Sequence, residues 1–271
     1  MMIHYSKIDP SGNITLIVDS FVPRSEQSRA ASALMQRDKS VEQVGFLEKP
    51  DDCTCIARLQ MMGGEFCGNA SLSAAAVMLG KASAPAGSEY TLRLEVSGAP
   101  EPVTIVCSLD EDGDFSGSVS MPLPENLSEY CFFNGFECYE LPLVRFPGIC
   151  HAIVRPGVLS EADAETLIGK WCAQLGSDAL GLMFFDETES TLRPLVYVAS
   201  TDSAVWEGSC ASGTSAVAAH LAEIDGEHAR VTLRQPRGTL SAQAEYGAGS
   251  ISALTLHGGA AFCGEYSVEL P

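Results

Sequence analysis

The sequence predicts an α+β protein in which one structural unit is written twice. Two observations predict it. Short segments rich in β-branched and apolar residues recur along the chain and outnumber the helical ones. Of only four segments with helical spacing, two open on near-copies of one motif: Gly-Gly-Glu-Phe-Cys-Gly-Asn-Ala at 63–70 and Glu-Gly-Ser-Cys-Ala-Ser-Gly-Thr at 207–214. The order of elements is strands, helix, strands, given twice, which separates this chain from an alternating parallel α/β sheet.

The strand-like segments are 13–18, 90–96, 103–109, 141–146, 151–154, 195–198, 230–234 and 250–256, each bounded by Gly, Pro, Asp or Ser. Helical spacing predicts a helix over 25–36 with Ser25 as N-cap. A second spans 160–175, where Ser160 and Asp163 form a near capping box. The other two cover 69–79, with Leu72, Ala75, Ala76 and Leu79 on one face, and 212–224, with Val217, His220, Leu221 and Ile224. Each therefore begins at a cysteine motif. Pro122-Leu123-Pro124-Glu125-Asn126 is the expected join, giving halves at residues 1–125 and 126–271, with the last strand free to return to the first half. Asp110-Glu111-Asp112-Gly113-Asp114 is expected to be a hairpin tip, since it lacks the spacing and closing Glu of a calcium loop.

A chain of 271 residues can bury a substantial core. Its 16 basic against 35 acidic residues give a net charge of −19, which repels phosphate backbones and anionic bilayers, so neither nucleic acid nor a membrane is an expected partner. No basic start leads into an apolar run, and no stretch approaches the roughly 18 apolar residues of a membrane span. A soluble, cytoplasmic protein is expected. On that reading the ten cysteines should be reduced. Cys107, Cys131, Cys138, Cys150, Cys172 and Cys263 lie in apolar or strand-like settings and are expected to be buried structural thiols. Cys53-Thr54-Cys55 is too weak a pattern for zinc, and no metal site is expected.

The chemistry follows from where the two motifs sit. The first turn of a helix leaves N–H groups unpaired, and with the macrodipole these favour an anion. A cysteine there is easier to hold as thiolate, and the adjacent amides can hold a carboxylate. Gly68 and Gly213 would let a ligand approach the backbone. Were the two motifs to face one small carboxylic acid, one thiolate could remove the α-proton while the opposite thiol supplies another, inverting the centre. Amides at both helix starts would stabilise the enediolate, with no cofactor required. Inversion needs one proton-transfer group per face, which accounts for the duplication.

At these residues the chain resembles the diaminopimelate epimerase family and, more loosely, its proline racemase relatives. Cys67-Gly68-Asn69 matches the family's first Cys-Gly-Asn; Cys210-Ala211-Ser212-Gly213 matches its Cys-Gly-Thr-Gly less closely. Ser11-Gly12-Asn13, Glu42-Gln43, His151 and 256–260 extend the similarity over almost the whole chain. The resemblance implies two pseudo-symmetric halves, each a β-barrel-like sheet around a central helix, with the site between them. It implies Cys67 and Cys210 as acid–base pair, Asn13, Gln43 and Asn69 lining the site, and the amides of Gly68, Asn69, Ala211 and Ser212 holding the α-carboxylate.

The departures bear on the substrate. Diaminopimelate epimerases use Glu-Arg nine and eight positions before the second Cys, and here those positions are Thr201 and Asp202. Ile149 stands where they carry Asn before Pro-His, and the Asn of the following strand falls near Gly181. Diaminopimelate is thus not the expected substrate, and Asp202 favours a neutral or cationic side chain. Superfamily members that racemise histidine show the same kept thiols and altered distal contacts, so a histidine-like or other single amino acid is expected. A homodimer is kept open as the assembly.

His151 divides evenly between substrate contact and a packed core residue. Glu65 and Glu207 could tune the thiols or simply satisfy helix-start amides. Two other functions remain: an isomerase of the phenazine-biosynthesis type, which shares the fold but lacks the thiol pair, and a thiol redox or binding protein on that fold.

Overall fold

The computed structural model describes residues 1–270. In chain order the elements are β1 (Met2–Asp9), β2 (Thr15–Val18), α1 (Arg24–Arg37), β3 (Gln43–Glu48), β4 (Ala57–Met61), α2 (Gly68–Lys81), β5 (Glu89–Val96), β6 (Val103–Leu109) and β7 (Phe115–Ser120). Then come β8 (Asn126–Phe133), β9 (Cys138–Phe146), β10 (Ile149–Val154), α3 (Glu161–Leu175), β11 (Ala179–Asp186), β12 (Thr191–Val198), a 3₁₀ turn (Ala199–Thr201) and β13 (Ser203–Trp206). The chain finishes with α4 (Ala211–Asp225), β14 (Ala229–Gln235), β15 (Gly238–Gly247) and β16 (Ser250–Glu269). Two compact units result: Met1–Ser120 with the chain from His257 onward, and Met121–Leu256.

The two units repeat one pairing scheme. In the first, β1/β2 is antiparallel, β2/β3 parallel, β3/β4 antiparallel, β4/β5 parallel and β5/β6 antiparallel. In the second, β9/β10, β10/β11, β11/β12, β12/β14 and β14/β15 follow the same alternation. A parallel pair cannot be joined by a tight turn and needs a crossover. Each helix is such a crossover: α1 and α3 serve the first parallel pair of their units, α2 and α4 the second. In the first unit β16 also pairs with β7 and β1, closing the run of strands on itself.

α2 packs against β1, β2, β3, β5, β6 and β7, and α4 against β9, β10, β11, β14 and β15. Surrounded by strands, each buries 10 of its residues, most of them Ala, Ser, Gly, Thr or Val. A helix buried on all sides has no use for a polar face, and small side chains let the sheet wrap close to its axis. Gly117 of β7 shows how close: a Cβ there would lie 3.0 Å from the Phe115 ring and 3.2 Å from Leu72 Cδ2. α3 lies on the outside of its unit and buries Ala164, Leu167, Ile168, Trp171 and Cys172 on one face.

Several expectations change. Ser25 does not cap α1: it lies within the first turn, and the N-cap is Pro23, whose side chain has no acceptor to offer the first amides. Strands β1, β3, β4, β7, β8, β11, β13 and β15 form where the sequence predicts none. β11 is an almost continuous buried apolar run, which carries no alternation to read; β7 has Gly in its interior. Cys131 and Cys138 are joined in a disulfide and are exposed, flanking the tip of the β8–β9 hairpin, and Cys263 is also exposed. Cys107, Cys150 and Cys172 are buried free thiols, and burial pushes Cys107 up to about 11.

Other expectations hold. Ser160 caps α3, accepting from the Asp163 N–H at 3.1 Å. Asp110 Oδ1 accepts from the N–H groups of Asp112 and Asp114, making a turn between β6 and β7.

Candidate active site

Both motif cysteines are helix N-caps. Cys67 precedes α2 with φ −135° and ψ 111°; Cys210 precedes α4 with φ −126° and ψ 113°. Each Sγ accepts the N–H three residues on, Ala70 or Gly213, at 3.4 Å. Each carbonyl accepts the N–H and the hydroxyl four residues on: Ser71 at 3.0 and 2.8 Å, Thr214 at 3.0 and 2.7 Å. A serine oxygen would cap better than sulfur, which is a weak acceptor unless ionised. With those two amides engaged, the N–H groups of Gly68 and Asn69, and of Ala211 and Ser212, remain ahead of the intrahelical ladder.

The thiols differ in setting. Cys67 is half-buried, whereas Cys210 is 5 % exposed. Burial pushes the Cys210 thiol well above its ordinary range, helped by the charge of and a hydrogen bond with Glu207; hydrogen bonds from Ser212 and the Gly213 amide pull the other way but lose. This corrects the expectation of a readily ionised thiol at this helix start, because loss of hydration outweighs the helix-end contribution. Cys210 rests as the neutral thiol.

Around Cys210 the second unit assembles a polar chain. The Ser212 hydroxyl is 3.6 Å from Cys210 Sγ and 2.9 Å from His151 Nε2. His151, on β10, is fully buried, and burial lowers its pKa to about 3, so the imidazole is neutral. Its Nδ1 is buried and has no hydrogen-bond partner among the described residues. The ring fits because β11 carries Gly181 beside it, where a Cβ would lie 2.4 Å from Nδ1. Gly213 likewise admits Met183, whose Sδ would be 2.2 Å from an added Cβ.

In the first unit, Asn13 is buried ahead of β2, and its Nδ2 donates to Glu42 Oε2 at 2.8 Å. Gln43 starts β3, and Asn69, 2 % exposed, is the second residue of α2. The side-chain oxygens of Gln43 and Asn69 are buried without a donor among the described residues. Behind Cys67, the Ser97 hydroxyl donates to the Glu65 carbonyl at 3.0 Å. Gly98, at φ +75°, packs where a Cβ would be 2.2 Å from the Phe66 nitrogen.

The structure thus gathers Cys210, Ala211, Ser212 and His151 in one unit, and places Asn13 beside Glu42 and Gly68 and Asn69 in the first turn behind Cys67 in the other. Asp202 stands elsewhere: exposed, after the 3₁₀ turn, bonded to Tyr197 Oη at 2.8 Å. It borders a surface recess of about 550 Å³ formed by α3 and the β12–β13 segment, which includes no residue of α4. Sequence reasoning missed Gln235, whose carboxamide holds Cys210 and Thr214. Glu42, the neighbour of Gln43, joins the predicted set through its bond from Asn13. No group of three or more His, Cys, Asp or Glu among the described residues is placed to hold a metal ion.

Known proteins resemble this chain in sequence and in fold. Residues 2–265 match the family described as the histidine racemase CntK N-terminal domain. A histidine racemase of Fusobacterium nucleatum subsp. nucleatum is 32 % identical over 245 residues, covering 88 % of each chain. One from Staphylococcus aureus is 27 % identical over 224 residues, covering 80 % of this chain and 78 % of its own. Among solved structures, a hydroxyproline epimerase from Agrobacterium vitis with bound trans-4-hydroxy-L-proline superposes with a TM-score of 0.74 at 14 % identity, covering 99 % of this chain and 93 % of that one. A phenazine biosynthesis protein from Bacillus anthracis reaches 0.71 at 12 % identity, covering both chains in full. These two share the fold, which alone does not separate racemases from phenazine-type isomerases; the sequence relationship does. The chain belongs to the histidine racemase family and is an isomerase of the racemase and epimerase kind.

Proposed function

We propose that this protein interconverts L- and D-histidine without pyridoxal phosphate, Cys67 and Cys210 exchanging protons with opposite faces of the α-carbon. The observation that carries the reading is the duplicated cap: two cysteines with matching backbone angles, matching Sγ contacts and matching hydroxyl support. Histidine as substrate rests on the relatives at 32 % and 27 % identity.

In one direction the Cys67 thiolate takes the α-proton and the neutral Cys210 thiol delivers its own to the other face. The enzyme is left with Cys67 protonated and Cys210 ionised, ready for the reverse reaction. The α-carboxylate lies against the amides of Gly68, Asn69, Ala211 and Ser212, which meet the negative charge as it grows towards the enediolate. The donor-free oxygens of Gln43 and Asn69 suit the α-ammonium group, since buried acceptors are otherwise costly to leave unpaired. Raising the Cys210 pKa makes the thiolate a stronger base when it does form, which helps against a weakly acidic C–H.

The test is chiral chromatography of L-histidine incubated with the protein and no added cofactor. D-histidine should form until the enantiomers are equal. Proline and diaminopimelate should react at least about 100-fold more slowly in kcat/KM, because a pocket built around polar groups rejects molecules that leave them unpaired. Turnover of either at the histidine rate would contradict the substrate assignment.

A further inference from the structure

Gln235 ends β14, whose buried face is Val231, Leu233 and Gln235 in alternation. A glutamine at 6 % exposure thus occupies a position where the pattern calls for an apolar side chain. Such a group is costly unless satisfied, and it is satisfied at both ends. Oε1 accepts the Cys210 N–H at 2.8 Å and Nε2 donates to Thr214 Oγ1 at 2.9 Å. Thr214 Oγ1 in turn donates to the Cys210 carbonyl at 2.7 Å. The orientation of the carboxamide is fixed: an N–H requires its oxygen, and a hydroxyl whose proton is already given away requires its nitrogen. One side chain therefore holds the backbone of Cys210 on both sides of its thiol.

We propose that Gln235 is a positioning residue for the Cys210 thiol. It fixes the backbone from which Sγ projects, and it occupies the Cys210 N–H so that the substrate carboxylate meets only the amides after it. Glutamate could keep the first bond but not donate the second; leucine could make neither. The inference rests on Cys210 being a proton carrier, as proposed above.

The test uses Gln235→Leu, Gln235→Glu and Thr214→Val in the full chain. Histidine kcat and KM are measured, and the pH midpoint of Cys210 alkylation is followed by peptide mass spectrometry. Both Gln235 variants should lower kcat about 10- to 100-fold while KM moves less than about threefold, as expected for a displaced proton-transfer group. Gln235→Glu should also raise the alkylation midpoint by about one unit or more, since it sets a second carboxyl beside the thiol. A merely structural role would lower the melting temperature without moving either quantity per folded enzyme. If kcat stays within about twofold and the midpoint is unchanged, the proposal fails. Should Gln235→Leu not fold, Gln235→Glu and Thr214→Val decide by the same criteria. Racemisation surviving in Cys210→Ser would instead sink the two-thiol reading; its loss there, with normal kcat in the Gln235 variants, would sink only the positioning role.

Discussion

The His151 imidazole meets the Ser212 hydroxyl at 2.9 Å, and Ser212 in turn lies 3.6 Å from Cys210 Sγ. The ring is buried with its pKa lowered to about 3, so its effect on stability has a definite sign. The unfolded chain takes up a proton below about pH 6.5 and the folded chain does not until about pH 3. Stability from this group is complete above pH 6.5 and falls on acidification, by about 1.4 kcal/mol per pH unit within that window. Urea unfolding of wild type and His151→Gln at pH 7 and pH 5 checks it. The wild type should lose about 2 kcal/mol more than the variant; equal losses would mean the ring is not held neutral.

The unequal burial of the two cap thiols predicts an order of reaction. Iodoacetamide with peptide mapping should label exposed Cys53 and Cys263 first and half-buried Cys67 next. Buried Cys210, its pKa raised, should follow well behind Cys67. Histidine should slow labelling of Cys67. Cys210 reacting as fast as Cys67 would contradict the assignment of a resting neutral thiol.

Glycines near the two caps predict a third result. Gly181→Ala puts a Cβ 2.4 Å from His151 Nδ1 and 2.6 Å from Met183 Cε. The ring must shift, and overpacking of this kind costs about 1–3 kcal/mol. Gly98→Ala is worse, since a positive φ and backbone atoms at 2.2 Å leave nothing flexible to yield. Thermal melts should show Gly98→Ala as the less stable, with both variants impaired in racemisation. A wild-type melting temperature for Gly98→Ala would show that the segment before Cys67 is not held as described.

Much of this was legible locally. A cysteine followed by small residues and an alanine-rich run marks a helix start, and both helices begin there. Ser160 and the Asp110 turn were readable for the same reason: caps and turns are decided within a few residues. What tertiary structure decides was not. Gln235 reaches Cys210 from 25 residues away, and nothing near it in sequence announces the contact. The raised Cys210 pKa follows from burial, which the motif does not encode, while the helix start by itself suggested the reverse. The Cys131–Cys138 pair did leave a signal, Asn134-Gly135 between symmetrically placed cysteines, which is a hairpin pattern.

The most direct test of the two-thiol mechanism is the fate of the α-hydrogen in deuterated water. Starting from protiated L-histidine at low conversion, mass spectrometry after chiral separation should find D-histidine carrying one deuterium and the remaining L-histidine carrying none. The group that takes the proton is then not the group that returns one. Early deuterium in recovered L-histidine at a rate matching its inversion, or inversion persisting in Cys67→Ser or Cys210→Ser within about tenfold of wild type, would contradict it.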